Sequence, residues 1–203
     1  MFDVTPFHCL VFDMDGTLVE SGPLHELAWR ETLSRFKLPI DSQLMRSLAG
    51  VPTRETLLTV AATTGKKLTA PVDEINAFKE ALVSELAPRY VKATALADLA
   101  RQHHGHMPMA VGTGACTQEA REILEHCGLL SLFDVVIGAD QVANPKPAPD
   151  TFLACARYLD CPPTDCVVFE DADLGLDAAQ AAGMTAVDVR TEFHFINDYF
   201  LGN

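Results

Sequence analysis

Positive charge is scarce in this sequence of 203 residues, which has 15 Lys and Arg against 28 Asp and Glu and a net charge of −13. Surfaces that bind nucleic acids or anionic membranes need clustered Lys and Arg, and the sequence has no such cluster. No apolar run approaches the roughly 20 residues that span a bilayer. The first five residues include no basic residue, which argues against a signal peptide. We therefore expect no nucleic-acid or membrane partner, and nothing in the sequence requires more than a monomer.

Cysteine pairs of the C-x-x-C type are also missing, although the sequence has six cysteines. Spacing of that kind marks many zinc sites and redox motifs. Several of the cysteines lie in apolar stretches, where cysteine behaves as a small hydrophobic residue. We therefore expect no zinc site and no disulfide framework, and reduced thiols indicate a cytoplasmic protein. The six are Cys9, Cys116, Cys127, Cys155, Cys161 and Cys166.

The short apolar runs that are present predict an α/β fold. Their length is typical of buried strands, and several of them end at polar residues. From about residue 93 onward they alternate with helical patterns, which indicates a parallel sheet with both faces covered. The runs are residues 7–12, 109–112, 133–137, 166–169 and 185–189.

A long helical stretch interrupts this alternation after the first strand. Residues 25–36 place apolar side chains near a 3.6-residue period, and further helices are predicted over residues 41–48, 53–64 and 72–86. We therefore predict two units. Residues 1–20 and 93–203 form a parallel-sheet core domain, and residues 21–92 form an inserted helical domain.

Two aspartates directly after the first predicted strand are the strongest indication of chemistry. Asp13 and Asp15 lie two residues apart, so both carboxylates can face one side of an extended backbone. Gly16 then allows a sharp turn. An aspartate is ionised at neutral pH and can attack phosphorus without a base, and a second carboxyl group can protonate the leaving oxygen and then deprotonate water. The alternative is an ordinary turn rich in Asp and Gly.

Three further polar clusters are expected at the sheet edge where open parallel sheets bind ligands. Thr113 and Gly114 offer a hydroxyl and backbone N–H groups to phosphate oxygens, although a plain strand-to-helix turn has the same composition. Lys146 lies between stiffening prolines and could neutralise a nucleophile and a phosphate; an exposed surface lysine is the alternative. Glu170 and Asp171 supply hard oxygen ligands that suit Mg²⁺, with a helix N-cap as the alternative for Asp171.

Taken in their order along the chain, the four clusters resemble the four motifs of the haloacid dehalogenase superfamily, and within it the β-phosphoglucomutase-like group. The resemblance covers nearly the whole chain, and the helical stretch corresponds to the family's cap domain. The resemblance implies a Rossmann-like core, and Asp15, which the dehalogenases themselves lack, implies phosphoryl transfer. The matching segments are residues 12–18, 112–114, 146–150 and 169–171.

The resemblance also implies an activity and roles for the core residues. The activity is Mg²⁺-dependent hydrolysis of small sugar phosphates, with broad specificity that includes compounds like fructose 1-phosphate, through a phosphorylated aspartate. Asp13 is the nucleophile and Asp15 the general acid and base. The implied metal ligands are Asp13, the Asp15 backbone carbonyl, Glu170 and Asp171, and the phosphate is held by Thr113, Gly114 and Lys146.

Three cap residues also receive roles from the resemblance. His25 corresponds to a histidine that contacts the general acid and base when the cap closes, and Lys79 is expected to join it. Arg54, in the loop that reads the far end of the substrate in this family, is expected to bind a sugar hydroxyl or a distal anion.

Two other functions stay open at this stage. One is a phosphoglucomutase-type isomerase, but residues 115–117 (Ala-Cys-Thr) replace the Ser-Lys-Asn-like run that grips a second phosphate in mutases. The other is a non-catalytic regulatory module, which would be expected to lose Asp13, Asp15, Lys146 or Asp171, and the sequence keeps all of them.

Overall fold

A five-stranded parallel sheet forms the centre of the protein, whose computed structural model describes residues 2–196 and 199–201. The strands in chain order are β1 (Cys9–Phe12), β2 (Val19–Glu20), β3 (Lys92–Ala93), β4 (Met109–Gly112), β5 (Val135–Ile137), β6 (Cys166–Glu170) and β7 (Thr185–Asp188). The main sheet has the order β5-β4-β1-β6-β7, and every pair in it is parallel. The strand that carries Asp13 is therefore the middle one.

Nine helices surround the sheet within the described ranges. They are α1 (Gly22–Arg35), α2 (Ser42–Ser47), α3 (Thr53–Thr64), α4 (Val72–Tyr90), α5 (Leu96–His103), α6 (Thr117–His126), α7 (Asp150–Tyr158), α8 (Asp173–Ala181) and α9 (Val189–Glu192). Short 3₁₀ turns precede β5, follow β5 and precede β6. Within the residues that the structure describes, no helix has both the length and the apolar character needed to cross a membrane.

The two faces of the sheet are covered by different helices because side chains alternate along each strand. Leu10 and Phe12 of β1 pack with buried residues of α5 and α6. Cys9 and Val11 point to the opposite face and pack with buried residues of α7 and α8. The result is a three-layer α/β arrangement, as expected for a parallel sheet whose strands are apolar on both faces.

The helices α1 to α4 form a separate group, with its own apolar core, above one end of the sheet. They lie between β2 and β3, which pair with each other in antiparallel register. Their own apolar cluster includes Trp29, Leu33, Leu57 and Ile75, all buried. Helix α4 also packs against α6 of the sheet layer. These helices fall inside the predicted cap, residues 21–92, and the domain limits themselves stay a prediction.

The structure confirms the predicted fold class, and the differences lie in short elements. The ribbon of β2 and β3 was not predicted, because strands of two residues give no readable alternation. Helix α5 was also missed. Helix α4 extends beyond the predicted end at residue 86 to Tyr90 and includes Pro88, which a short final turn tolerates at the cost of one backbone hydrogen bond.

The aromatic tail differs from expectation in what it packs against. The four aromatic residues within residues 191–203 predict a tail that packs on the surface of the core and carries no chemistry. Phe193 and Phe195 do pack against the core, but Tyr199 and Phe200 pack into the apolar cluster of the cap helices. The backbone N–H of Phe200 donates to Glu26 of α1. Residues 197–198 and 202–203 lie outside the described part of the chain.

The stacked phenylalanines in the middle of the sheet allow a test of the fold. Phe169 is fully buried, and its ring stacks on Phe12 with 5.1 Å between centroids. Phe169→Ala is expected to lower the free energy of unfolding by about 3–5 kcal/mol, because it leaves a cavity between β1 and β6. Urea denaturation followed by circular dichroism measures this loss. Tyr158→Ala, at a side chain that is 62% exposed, should change it by less than about 0.5 kcal/mol, and equal losses in both variants would contradict this packing.

Candidate active site

The predicted polar clusters converge because three neighbouring strands end at the same edge of the sheet. Asp13 follows β1, Thr113 follows β4 and Glu170 is the last residue of β6. β4 and β6 flank β1, so the residues that follow these strands are brought together at the carboxyl edge. The backbone N–H of Asp13 donates to the carbonyl of Phe169 over 2.9 Å, which fixes β1 against β6 up to the point where the polar residues begin.

The turn after Asp13 brings two acidic segments into close contact. Gly16 has φ = +82° and its N–H donates to the carbonyl of Val19. A Cβ atom at Gly16 would lie 2.2 Å from the Oδ2 atom of Asp171. Only glycine therefore fits this position, both because of its backbone conformation and because the carboxylate occupies the space.

Lys146 provides the positive charge at the centre of the site. Its Nζ atom donates to Oδ1 of Asp13 over 2.7 Å and to Oε2 of Glu170 over 2.8 Å, and all three side chains are buried. Burial lowers the pKa of Lys146, but the two carboxylates outweigh that effect and raise it above its usual value. The lysine is therefore a permanent cation, and the alternative of a surface lysine is excluded.

Asp13 has an unusual ionisation for a carboxyl group. Burial, followed by the charge of Glu170, raises the pKa of Asp13 to about 7, although Lys146 acts in the opposite direction. One ammonium group is thus not enough to compensate the acidic groups gathered here. An additional cation at this place would favour the ionised form that a nucleophile requires.

The acidic groups have the composition of a site for a hard divalent cation. Ligand atoms of Asp13, Glu170 and Asp171 lie within 4.8 Å of one another, and all three residues are buried. Three buried carboxylates against one ammonium leave an excess of negative charge, and carboxylate oxygens are the ligands that Mg²⁺ prefers. Both carboxylate oxygens of Glu170 already accept hydrogen bonds. Its Oε2 accepts from Lys146, and its Oε1 accepts from the backbone N–H groups of Asp171 and Ala172. The residues present fit a divalent metal.

Thr113 and Gly114 lie at the mouth of the same cavity. The hydroxyl oxygen of Thr113 accepts from the N–H of Ala115 over 3.1 Å, which leaves its hydrogen available to a ligand oxygen. A Cβ atom at Gly114 would lie 2.1 Å from the carbonyl oxygen of Gly50. Glycine at residue 114 therefore allows a loop between two cap helices, α2 and α3, to approach the core here.

Asp15 is held by a network that reaches into the cap. Its Oδ1 atom accepts from the hydroxyl of Ser21 over 2.5 Å and lies 3.0 Å from Nε2 of His25. The Nδ1 atom of His25 lies 3.3 Å from Nζ of Lys79. Since an ammonium group can only donate, this network assigns the imidazole proton to Nε2, which donates to Asp15. The structure thus brings the predicted residues His25 and Lys79 next to Asp15.

The network determines the ionisation of Asp15. Burial raises its pKa, but the contact with His25, the hydroxyl of Ser21 and the charge of Lys79 outweigh burial and hold the pKa below its ordinary value. Asp15 is therefore ionised at neutral pH in this arrangement, as a group that removes a proton from water must be.

Two residues of the site were not singled out from the sequence. Ser21, buried directly before α1, donates to Asp15. Glu119 on α6 is 7% exposed, and its Oε1 lies 3.8 Å from Nζ of Lys79. A buried carboxylate on an otherwise amphipathic helix is a weak signal, because Glu119 falls in the first turn, where acidic residues are common.

Arg54 lies outside this group of residues, and its role at the substrate stays a prediction. It is the second residue of α3, its side chain is half exposed, and its guanidinium pairs with Asp73 at the start of α4. The cap loop does reach the cavity, but through Gly50, Val51 and Thr53. The start of α3 directs Arg54 away from the cavity and towards an acidic partner on the cap surface.

A cavity of about 800 Å³ connects these groups between the sheet edge and the cap helices. Its size is within the range of about 300–1,000 Å³ found for small-molecule sites. Core side chains such as Asp13 and Glu119 form its floor, and cap side chains such as His25 and Trp29 form its roof. Trp29 is buried in the apolar cluster of the cap helices and also lines the cavity.

Comparison with known proteins agrees with this arrangement. Residues 10–189 match the family described as haloacid dehalogenase-like hydrolase. The fructose-1-phosphate phosphatase YqaB of Escherichia coli is 44% identical over 184 residues, which cover 89% of this chain and 95% of that protein. The β-phosphoglucomutase of Bacillus subtilis is 28% identical over 190 residues, 89% of this chain and 82% of that protein. The crystal structure of CbbY from Rhodobacter sphaeroides in complex with phosphate has a TM-score of 0.80 at 26% identity, over 89% of this chain and 84% of that one.

The raised pKa of Asp13 gives a pH-dependent prediction for the protein in EDTA. Between about pH 4 and pH 7 the folded protein keeps a proton on Asp13 that the unfolded chain has lost, so the contribution of Asp13 to stability falls as pH rises. Asparagine does not titrate. Asp13→Asn should therefore gain stability relative to the unchanged protein across this window, by about 3 kcal/mol in urea unfolding.

Two comparisons make that result specific. Asp177→Asn, at an exposed position on α8, should give the same difference at every pH. Saturating Mg²⁺ should reduce the advantage of Asp13→Asn, because the cation favours the ionised carboxylate. A difference that stays constant or shrinks as the pH of the metal-free protein rises would contradict the assigned environment of Asp13.

The buried pair of Lys79 and Glu119 is testable by a double-mutant cycle. Lys79→Met and Glu119→Gln should each destabilise the protein, because each leaves a buried charge without its partner. The double variant should cost less than the sum of the two, by about 1–3 kcal/mol in urea unfolding. Pairing Lys79→Met with Glu125→Gln, an exposed residue on the same helix, provides the additive control. Additivity in both cycles would show that the pair does not interact.

Proposed function

This chain belongs to the haloacid dehalogenase-like hydrolase family, and from that premise we propose that it is a Mg²⁺-dependent phosphatase for small sugar phosphates that works through an aspartyl phosphate on Asp13. The observation that carries the proposal is the pair of aspartates with different partners. Asp13 contacts the buried ammonium of Lys146, whereas Asp15 contacts His25 of the cap. Different environments for two neighbouring carboxyl groups are typical of a nucleophile and an acid–base group.

The first step is attack by a carboxylate oxygen of Asp13 on the phosphorus of the substrate. A phosphorus–oxygen bond forms to Asp13 as the bond to the sugar oxygen breaks, and Asp15 transfers its proton to that leaving oxygen. Lys146 and the hydroxyl of Thr113 bind the phosphate oxygens, where negative charge is present throughout the transfer. The network around Asp15 favours its ionised form. This step therefore needs the less stable, protonated form of Asp15 in the complex with substrate.

The second step is hydrolysis of the aspartyl phosphate by water. Asp15 takes a proton from the water as the water oxygen bonds to phosphorus. The bond between phosphorus and the Asp13 oxygen breaks, which restores the Asp13 carboxylate. Asp15 thereby regains the proton that the first step consumed. His25 orients this carboxyl group by donating from Nε2, and Lys79 holds the ring from the other side.

A divalent metal would be held by the carboxylates of Asp13, Glu170 and Asp171 and by the backbone carbonyl of Asp15. The excess negative charge of the three buried acidic residues supports this assignment. When bound, Mg²⁺ supplies positive charge that offsets the repulsion between an anionic nucleophile and an anionic phosphate.

The substrate proposed is a sugar phosphate of the fructose 1-phosphate type, with broad specificity within that class. The 44% identity to the E. coli fructose-1-phosphate phosphatase supports this choice. The cavity has room for one small sugar beside the phosphate. We propose that the cap, hinged near residues 21–23, closes over the sugar and keeps bulk water out. A cytoplasmic location is proposed with it, supported by the six cysteines, which are all free thiols.

A mutase is the second candidate, supported by the 28% identity to the B. subtilis β-phosphoglucomutase. A mutase must bind a sugar bisphosphate, which requires a second anion site. Residues 115–117 (Ala-Cys-Thr) supply no cationic side chain for such a site, and the neighbouring carboxylate of Glu119 is paired with Lys79. The phosphatase is therefore the preferred proposal.

The deciding measurement is release of inorganic phosphate with Mg²⁺ from fructose 1-phosphate, 6-phosphogluconate and β-glucose 1-phosphate. We expect release from several of these sugars, with fructose 1-phosphate among the best substrates. Asp13→Asn should reduce the rate by at least about 1,000-fold, because it removes the nucleophile. EDTA should abolish release, and added Mg²⁺ should restore it.

The surface variant Asp177→Asn serves as the matched control and should keep the full rate. Release that persists in Asp13→Asn would refute the aspartyl-phosphate mechanism. Conversion of β-glucose 1-phosphate to glucose 6-phosphate only after addition of a bisphosphate, without net phosphate release, would identify a mutase instead.

A further inference from the structure

Three cysteines that are far apart in the sequence meet at the edge of the sheet opposite the active site. Cys9 begins β1 and Cys166 begins β6, and these two residues are directly paired in the parallel register. Cys161 approaches them from the loop after α7. The three sulfur atoms lie within 4.8 Å of one another. Adjacent strands place the first two sulfurs side by side, and the loop adds the third.

The surroundings of this thiol cluster (Cys9, Cys161 and Cys166) are closed and apolar. Cys9 and Cys166 are 2% and 0% exposed, and Cys161 at the rim is 9% exposed. The cluster belongs to the apolar layer between the sheet and the helices α7 and α8. The thiol of Cys166 also donates weakly to the carbonyl of Pro162, over 3.4 Å. Access from solvent therefore runs past Cys161.

We propose that this cluster is a binding site for one soft, thiophilic cation of low coordination number, of the Cu(I) type. Thiolate sulfur selects such ions over hard cations such as Mg²⁺. Metal–sulfur bonds of about 2.3 Å place three sulfurs of a trigonal site about 4.0 Å apart, which is inside the 4.8 Å limit of this cluster.

Zn²⁺ fits the cluster less well than Cu(I). Structural zinc sites are nearly always four-coordinate. Among the residues that the structure describes, the cluster gathers three His, Cys, Asp or Glu ligands and not four. A three-coordinate ion in a dry, apolar pocket suits this set of ligands better than a tetrahedral one.

Binding is an exchange of protons for metal and involves no redox change. As each copper–sulfur bond forms, the corresponding S–H bond breaks and its proton passes to solvent, while copper stays Cu(I). Burial raises the pKa of Cys166 to about 12, so the free cluster holds thiols rather than thiolates. Neutral thiols react slowly with oxidants, so the cluster stays reduced, and a bound metal has to displace the protons.

The thiol cluster is separate from the magnesium-type site. Cys9 and Asp13 lie at opposite ends of β1, about 13 Å apart along an extended strand. The proposal therefore does not depend on the phosphatase activity. Saturating Mg²⁺ can be present in the test, so that the carboxylates of the active site do not compete.

The test is anaerobic titration of the full-length reduced protein with Cu(I), in competition with bicinchoninate and with saturating Mg²⁺. We expect one Cu(I) per chain bound tightly, and Cys161→Ser should weaken it at least about 100-fold, since it removes one of three ligands. Cys127→Ser, at a partly buried cysteine outside the cluster, is the matched control and should bind as the unchanged protein does.

Cys161 is chosen because it lies at the rim, and circular dichroism of the variant will show whether the fold is kept. Should Cys161→Ser be unfolded, Cys161→Ala provides the same loss of a ligand without a new polar group. Failure of the unchanged protein to keep Cu(I) against the competitor would overturn the proposal. Equal affinities of Cys161→Ser and Cys127→Ser would also overturn it, because binding would then occur elsewhere.

Discussion

Lys146 places one ammonium group between the carboxylates of Asp13 and Glu170, and all three side chains are buried. Charges of this kind are stable in an interior only when they are paired and hydrogen-bonded. The lysine therefore holds together the ends of β1 and β6 and the loop that precedes α7. Because Lys146 compensates only part of the negative charge of the carboxylates, the cluster keeps an excess of negative charge. A divalent metal would offset this excess of negative charge, which an anionic phosphate alone would increase, so the free site suits phosphoryl transfer only together with a metal.

The cap is tied to the core by the same principle. The cap side chains His25 and Lys79 lie between two core carboxylates, Asp15 at one end and Glu119 at the other. The charge of Asp15 changes during the proposed cycle, whereas Glu119 takes no part in the chemistry and can keep its charge. A permanent anion at the far end would thus hold Lys79 in place while the contact of His25 with Asp15 is altered. The position of the cap and the protonation of Asp15 become coupled through His25.

The sequence contained enough information to predict the fold class and the part of the site that lies on the core domain. Asp13 and Lys146 show why. Asp13 directly follows a strand whose apolar pattern is strong, Lys146 lies between stiffening prolines shortly before α7, and parallel strands have to end at a common edge. The cap was harder, since only three-dimensional packing decides where a side chain on a helix points. His25 reaches Asp15 and Lys79 contacts His25, but Arg54 pairs with Asp73 on the surface. Glu119 was missed because an acidic residue in the first turn of a helix is ordinary, and its burial depends on α4.

The two ends of β1 show how one sheet can separate incompatible chemistries. The carboxyl end gathers oxygen ligands around Lys146, and the amino end gathers the sulfur atoms of Cys9, Cys161 and Cys166. Local spacing rules do not detect the sulfur cluster, because adjacency of β1 and β6 creates it. Carboxylate oxygen favours hard cations such as Mg²⁺ and thiolate sulfur favours soft ones, so the two ends would prefer different cations. A soft cation held at the thiol cluster would thus stay clear of the phosphatase site while binding to the same two strands.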